Sequence, residues 1–307
     1  MGICLSTSWN AFRYNDGRKI IKEVKRLGFD EVELSFNLTK RIVKEIASLV
    51  EKRQIKVRSL HNFCPIPEGL ERHEALPDCY SVASLDEEKR LLAVKYSKIS
   101  IETAAMLNAQ AVVLHCGRVE IADRTREFIP LFYSCEQADD QRLQSLKELM
   151  CRERHEKSEA HFSAVIKSLD ELSAYAGKLK IALGIENRYY FREIPSFQET
   201  GQLLDRFKGS NVFYWHDTGH AQLWENLGFL KHQDYLDAYG KYLIGVHLHD
   251  IKEDDDHLAP LQGDFDFNLL TPYLRQGTIK TLEAHHPASP EDIVKARNFL
   301  EKLYGAD

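Results

Sequence analysis

Short apolar segments alternate with longer amphipathic segments along the whole chain. The apolar segments are rich in β-branched residues and are bounded by polar loops, which is the pattern of buried parallel strands. Eight of them are predicted as strands: Ile3–Ser6, Glu31–Ser35, Lys56–His61, Ala111–His115, Ile181–Glu186, Val212–Asp217, Leu243–His249 and Thr278–Glu283.

The segments between these strands carry apolar residues at helical spacing. Asp16, Ser196 and Ser289 stand where N-caps are expected, and Pro290 directly follows Ser289, as is favoured at the first position of a helix. Eight segments are predicted as helices: Gly17–Leu27, Thr39–Arg53, Leu85–Asn108, Lys157–Lys178, Ser196–Phe207, Leu227–Tyr239, Phe267–Leu274 and Pro290–Tyr304.

The regular alternation of strands and helices predicts an α/β fold, a single (β/α)8 TIM barrel domain over residues 1–307. A doubly wound open sheet is the alternative. Such a sheet normally carries a glycine-rich phosphate turn after an early strand, and the chain has no GxGxxG or P-loop motif. The barrel is therefore the preferred prediction.

Two connections are long, one over residues 62–84 after strand three and one over residues 117–156 after strand four. In a barrel, both emerge at the carboxyl ends of the strands, where long loops form lids, substrate walls or subunit contacts. The stretch 141–154 has a helical pattern and could pack against a partner, so a homo-oligomer is possible.

The composition is that of an ordinary globular protein, with 43% hydrophobic and 29% charged residues. The net charge of −6 makes a broad nucleic-acid interface an unfavoured prediction, because such interfaces need a clustered basic face. No signal peptide or membrane-spanning run is evident, although Gly2 and Ser6 also fit a myristoylation pattern. A cytoplasmic protein is expected.

The cysteines are scattered without a CxxC pair, which agrees with a reduced, cytoplasmic protein and gives no sign of a thiolate metal site. They are Cys4, Cys64, Cys79, Cys116, Cys135 and Cys151.

Ionisable residues stand at or near the ends of six predicted strands, where a buried strand rarely carries one without a reason. The carboxyl ends of barrel strands converge on one mouth, where active sites lie. Carboxylates and imidazoles without thiolates suit Zn²⁺, Mn²⁺, Co²⁺ or Mg²⁺, with one to three ions. The residues are His61, His115, Glu186, Asp217, His247 and Glu283.

Strand alternation indicates which of these side chains point inward. Trp215 and Asp217 share a face while His216 lies on the other, and His247 and His249 share a face. A lone histidine at a strand end is commonly structural, and a lone carboxylate there is often a helix N-cap. For His61 the structural and metal-binding interpretations stay equally open, as they do for His115.

Four motifs make the chain resemble the xylose-isomerase-like barrel superfamily: GIENR at Gly184–Arg188, HDTGHA at His216–Ala221, VHLHD at Val246–Asp250 and LEAHH at Leu282–His286. That superfamily contains sugar isomerases and epimerases and the zinc-dependent apurinic endonucleases. The resemblance extends over nearly the whole chain. It is specific for the superfamily and much less specific for the reaction.

By resemblance to the ketose epimerases, Glu186, Asp217, His247 and Glu283 would hold one metal and His220 would contact substrate. The endonucleases hold three zinc ions with nine residues, and the chain has a matching type for each. The match near Asp255 is ambiguous, because the acidic run 254–256 allows several registers. The nine residues would be His61, His115, Glu186, Asp217, His220, His247, Asp255, His257 and Glu283.

The resemblance implies a sugar isomerase or epimerase that works through a metal-stabilised enediolate. Glu186 and Glu283 would both ligate the metal and move the proton. Apurinic-site phosphodiester hydrolysis and dehydration of a keto-polyol are alternatives, and a metal-binding module without turnover is a third. The negative net charge of the chain opposes DNA cleavage, because DNA affinity depends mainly on contacts between basic side chains and the phosphates.

Further residues are candidates for substrate contact. Glu33 shares inward parity with its strand and could contact substrate or support a ligand. Arg188 could anchor a substrate phosphate or carboxylate, although an ion pair is equally compatible with its position. Trp9 and Phe63 could wall off the sugar or could instead belong to the core. His249 and His220 could each bind an additional metal ion or contact the substrate. The substrate itself, a small sugar, sugar phosphate or polyol, is not specified by the sequence.

Overall fold

The computed structural model describes residues 2–134 and 140–305. Its strands are β1 (Ile3–Ser6), β2 (Glu31–Leu34), β3 (Lys56–His61), β4 (Ala111–Leu114), β5 (Ala182–Glu186), β6 (Val212–Asp217), β7 (Leu243–Leu248), β8 (Asp250–Lys252), β9 (Asp255–Leu258) and β10 (Ile279–Leu282). Eight of them close into a barrel in the order β1-β10-β7-β6-β5-β4-β3-β2, with parallel pairing between neighbours. The predicted (β/α)8 barrel is confirmed.

The helices pack around the barrel. They are α1 (Gly17–Arg26), α2 (Lys40–Glu51), α3 (Glu87–Met106), α4 (Thr125–Ser134), α5 (Asp140–Leu179), α6 (Phe197–Arg206), α7 (Thr218–Asn226), α8 (His232–Tyr239) and α9 (Pro290–Tyr304). Asp16, Ser196 and Ser289 accept backbone N–H bonds as the N-caps of α1, α6 and α9, as the sequence predicts.

The long connection after β4 is more helical than predicted. Its described residues include α4 and the first half of α5. The helix α5 continues without a break into the predicted helix 157–178 and is 40 residues long. The connection after β3 is a series of turns between β3 and α3. Both connections lie on the side of the carboxyl strand ends. Cys135 lies outside the described residues.

The helix predicted over Leu227–Tyr239 is confirmed only over α8 (His232–Tyr239), and the separate helix α7 was not predicted. Asp217 ends β6 and accepts the His220 N–H as the N-cap of α7, so the helix begins at the next residue with no loop between. Gly228 then adopts φ +70°, and α8 follows as a separate helix. The helix predicted over Phe267–Leu274 is a short 3₁₀ helix over Phe267–Leu270.

An antiparallel hairpin, β8 and β9, follows β7 at the mouth and was not predicted. Its polar sequence, DIKEDDDHL, lacks the apolar alternation by which strands are recognised. In the part of the chain that the structure describes, no helix is long and apolar enough to span a membrane.

Trp215 fills the barrel interior below the mouth. It is fully buried among Cys4, Ala111, Val113 and Ile279, and its ring lies 5.1 Å from that of His247. A glycine on each of the two flanking strands, β5 and β7, lies against its ring. A Cβ on Gly184 would come within 2.8 Å of the Trp215 ring, and one on Gly245 within 2.2 Å. The small residues on the flanking strands therefore make room for one large side chain that supports the mouth.

We expect Gly245→Ala to destabilise the protein by about 1–3 kcal/mol, because the added methyl group overlaps the buried Trp215 ring. Chemical denaturation followed by circular dichroism measures the change. Gly277→Ala is the matched control, since a Cβ there meets no atom within 4 Å. Equal stability of the two variants would contradict this account of the barrel interior.

Candidate metal centre at the barrel mouth

The last four barrel strands, β5, β6, β7 and β10, each place one side chain at the same point of the mouth. Glu186 and Asp217 are the last residues of β5 and β6, His247 lies in β7, and Glu283 directly follows β10. One ligand atom of each lies within 4.8 Å of the others, and all four residues, here called the inner set, are buried. The structure thus brings together the four residues that the sequence singles out.

The Nδ1 atom of His247 is the centre of this inner set. It lies 2.6 Å from Glu186 Oε1, 2.8 Å from Glu283 Oε2 and 3.7 Å from Asp217 Oδ2. Burial lowers the pKa of His247, but the carboxylates of Glu283, Glu33 and Glu186 outweigh burial and raise it well above its usual value. The point where the side chains meet is therefore strongly attractive to positive charge.

The same arrangement keeps the carboxylates ionised. Burial raises the pKa of Glu186, but the charge of His247 outweighs burial and holds it well below its usual value. Burial also raises the pKa of Glu283, but the charge of His247 outweighs burial and lowers it. Burial is likewise outweighed at Asp217, by His220 and His249, and its pKa is well below the usual value.

Glu33 lies behind His247 and fixes which ring nitrogen faces the inner set. Its Oε1 is 3.0 Å from His247 Nε2, and its Oε2 accepts a 2.7 Å hydrogen bond from the Ser59 hydroxyl. A carboxylate at Nε2 would hold the proton there when a metal displaces the Nδ1 proton and binds the Nδ1 lone pair. Of the two roles predicted for Glu33, the geometry therefore favours support of a ligand over contact with substrate.

His249 orients Asp217. Its Nε2 lies 2.9 Å from both Asp217 carboxylate oxygens, and its Nδ1 accepts a 2.9 Å hydrogen bond from the His257 backbone N–H. Both ring nitrogens are thus engaged by the protein. The geometry fits a positioning role for His249 better than the additional metal or substrate contact that was predicted.

A second group of ligand atoms, from Asp217, His220 and His257, adjoins the inner set. Asp256 completes it, with Oδ2 3.0 Å from His257 Nδ1 and 3.7 Å from His220 Nε2. Burial opposes the charge of His257, but Asp256 raises its pKa to about 9. The sequence-based choice of Asp255 is not supported, because Asp255 is exposed whereas Asp256 lines the mouth cavity.

A third group consists of His61, His115 and Glu186. His115 Nε2 lies 2.8 Å from Glu186 Oε2, and His61 Nε2 lies 4.0 Å from the same oxygen. Arg188 contacts this group as well, with Nη1 2.6 Å from both His115 Nε2 and Glu186 Oε2. Burial and the charge of Arg188 hold the pKa of His115 well below its usual value, so its imidazole is neutral.

Members of each of these groups line a mouth cavity of about 290 Å³. Its wall also contains Phe36, Pro77, Tyr189, Tyr190 and His285, which the sequence did not single out because they lie in loops whose course periodicity does not predict. The cavity wall as described includes neither of the aromatic residues predicted to enclose a sugar.

Those two aromatic residues belong to the core. Trp9 is 1% exposed and donates its indole N–H to the Ala288 carbonyl at 2.8 Å. Phe63 is equally buried and packs edge-on against Tyr80. The geometry therefore gives no support to direct substrate contact by Trp9 or Phe63.

Asn187 and Thr218 are supporting residues that the sequence analysis missed. The Asn187 side chain accepts the Asp217 N–H at 2.8 Å and donates to the Asp217 carbonyl at 3.0 Å, which ties the ends of β5 and β6 together. The Thr218 hydroxyl donates to the His249 carbonyl at 2.7 Å. Each of these residues directly follows a carboxylate at the end of a strand, and this position in the sequence could have identified them as supporting residues.

We expect Glu33→Gln to weaken the binding of added Mn²⁺ about tenfold or more, because a neutral amide would no longer place a negative charge behind His247. Isothermal titration of the chelator-treated protein measures the affinity. Glu31→Gln is the matched control from the same strand, since Glu31 pairs instead with Arg58 at 2.7 Å. Unchanged affinity in Glu33→Gln, or an equal loss in both variants, would contradict the supporting role of Glu33.

The family model for the xylose isomerase-like TIM barrel matches residues 21–303 of the chain. A search of curated protein sequences found no significant match. Among solved structures, a D-tagatose 3-epimerase-like protein is similar, with 19% identity and a TM-score of 0.65 over 99% of this chain and 97% of the other.

Two further structures are similar over almost their whole length. A 3-keto-D-glucoside 4-epimerase from E. coli has 17% identity and a TM-score of 0.68, with 98% of this chain and 99% of the other covered. A D-allulose 3-epimerase from Methylomonas sp., solved with D-allulose, has 16% identity and a TM-score of 0.67, with 99% and 97% covered. At these identities the likeness demonstrates a shared fold.

Proposed function

Because the chain belongs to the xylose isomerase-like TIM barrel family, we propose that it is a divalent-metal-dependent epimerase or isomerase of a small, uncharged sugar or keto-polyol. The observation that carries this proposal is the convergence of Glu186, Asp217 and Glu283 on Nδ1 of His247. The structurally similar proteins with this fold include several sugar epimerases, which supports the same reaction class.

The donor set fits a divalent cation. Four buried carboxylates, Glu33, Glu186, Asp217 and Glu283, surround one imidazole, and Arg188 is the nearby permanent cation. Like charges buried this closely are costly unless a cation compensates them. Oxygen and imidazole nitrogen ligands accept Zn²⁺, Mn²⁺, Co²⁺ and Mg²⁺, so the identity of the ion depends on availability as well as on geometry.

When bound, the ion would polarise the carbonyl and adjacent hydroxyl of the substrate and acidify the C–H between them. The lowered pKa values of Glu186 and Glu283 keep both carboxylates in the form that accepts a proton. One carboxylate would take the proton from carbon, and the other, after taking up a proton from solvent, would deliver it to the opposite face of the same carbon. Delivery to the neighbouring carbon would give isomerisation instead of epimerisation.

The charges of the mouth favour a substrate without phosphate. Among the described residues that line the cavity, Arg188 is the only arginine or lysine. Its Nη1 binds Glu186 and its Nη2 binds Glu193 at 2.9 Å, so it is not available to anchor an anion. Phe36 and Tyr189 supply apolar surface for the C–H face of a sugar. A cavity of about 290 Å³ also limits the ligand to a small molecule.

Abasic-DNA cleavage is the second candidate, and the three adjoining groups of ligand atoms are the observation in its favour. The electrostatics oppose it. The hairpin beside the cavity carries Glu253, Asp254 and Asp256, and a nucleic-acid backbone needs positive partners for its phosphates. The sugar reaction is therefore the better-supported function.

We expect the protein, reloaded with Mn²⁺ or Co²⁺, to catalyse the exchange of a substrate hydrogen for solvent deuterium. The exchange should occur at the carbon next to the carbonyl of at least one ketose in a panel of unphosphorylated sugars. Glu186→Gln and Glu283→Gln should each reduce the exchange by about 10²-fold or more, because each removes a proton-accepting carboxylate. Mass spectrometry and proton NMR measure the label, and a chelator should abolish it reversibly.

Asp255→Asn is the control for this experiment, since Asp255 is exposed beside the cavity and its variant should retain full exchange. Metal-dependent nicking of an abasic duplex, without exchange into any ketose, would reject the sugar reaction in favour of the nuclease. Loss of water from the substrate would identify a dehydratase. A metal-binding module without turnover would show metal binding and none of these reactions.

A further inference from the structure

The group formed by His61, His115 and Glu186 has the composition of a metal site, with one ligand atom of each residue close to the other two. His61 and Glu186 are buried, and all three residues face the mouth cavity. Two imidazoles and one carboxylate match the ligand preferences of Zn²⁺ and related ions. From the residue types alone, this group would be expected to take up a cation of its own.

The cation-binding position of this group already holds a guanidinium. Arg188 Nη1 lies 2.6 Å from Glu186 Oε2 and 2.6 Å from His115 Nε2, while those two atoms are 2.8 Å apart. Arginine carries donors only, so His115 Nε2 must offer its lone pair to Arg188. A metal ion bound to His115 and Glu186 would need the same lone pairs that Arg188 now occupies.

Arg188 is fixed in this position from its other side. Its Nη2 donates to Glu193 Oε1 at 2.9 Å, and Glu193 Oε2 accepts the Tyr190 N–H at 2.9 Å. Glu193 forms a backbone bridge with Arg118, which ties its loop to the connection after β4. Both Arg188 and Glu193 are more than nine-tenths buried. A swing of Arg188 out of the ligand group would leave a buried carboxylate without its partner.

We propose that Arg188 is a built-in cation that takes the place of a metal ion between His115 and Glu186 and thereby blocks a metal site that includes His61. The inference rests on the metal centre of the proposed function and goes beyond it. It explains how the chain keeps the ligand types of a multi-metal cluster while its mouth operates without an ion at this group. It also makes Glu186 available to the inner set through its other oxygen, Oε1, which contacts His247.

Metal counting tests the inference directly. After removal of metal and reloading with Zn²⁺, Arg188→Gln should hold about one more ion per chain than the unchanged protein, because the variant frees two lone pairs and removes a positive charge. Inductively coupled plasma mass spectrometry after gel filtration measures the content. Adding His115→Ala to Arg188→Gln should return the count to that of the unchanged protein.

Two further measurements keep the test decisive. If the single variant folds poorly, Arg188→Leu combined with Glu193→Gln avoids leaving Glu193 as a buried carboxylate without its partner, and this double variant should gain the same ion. A zinc-anomalous map of the unchanged protein should show no peak bonded to His61, His115 and Glu186. A peak there, or no gain in folded variants, overturns the inference.

The two proposals fail in different ways. An unchanged protein that binds no ion at Glu186, Asp217, His247 and Glu283 would refute the proposed function. Binding at these four residues without any gain in the Arg188 variants would refute only the role of Arg188.

Discussion

The burial of several carboxylates around one imidazole is the constraint on which the rest of this mouth depends. Glu33, Glu186, Asp217 and Glu283 all lie near His247 and away from bulk water. Such a group is unfavourable unless every oxygen has a partner and the net charge is offset. The supporting residues therefore follow from the group itself: Ser59, Asn187, Arg188, Thr218 and His249 each satisfy or orient one of its members.

The barrel supplies the rigidity that this arrangement needs. Four strands fix the directions of the inner side chains, and Trp215 fills the space below them because Gly184 and Gly245 leave room for its ring. The helix α7 begins at the residue after Asp217, so one carboxylate both caps a helix and faces the centre. A shift of any of these strands would separate the ligand atoms, which links packing in the barrel to the chemistry at its mouth.

The sequence predicted the barrel and the inner set because strand parity is a strict alternation and parallel strands end at one face. It placed Glu186, Asp217, His247 and Glu283 at the mouth for that reason. Its errors fall where the chain leaves the strands. Asp255 was chosen although Asp256 faces the cavity, because an acidic run in an unpredicted hairpin has no apolar positions to fix its register. Trp9 and Phe63 stayed open between the core and the cavity wall, because residue type alone does not distinguish these two positions.

Arg188 shows that matching ligand residue types do not by themselves determine how many metal ions a site holds. Each of the ligand types of a three-metal cluster can be found in the chain, and the structure brings most of them into three adjoining groups. A cation that is part of the chain competes with a soluble one on unequal terms, because it is covalently tethered and Glu193 holds it in place. A histidine and a carboxylate such as His115 and Glu186 can therefore act as metal ligands when no arginine lies between them. When an arginine does lie there, they act as its hydrogen-bond acceptors. The number of metal ions that such a mouth can hold depends on the residues between the ligands as much as on the ligands themselves.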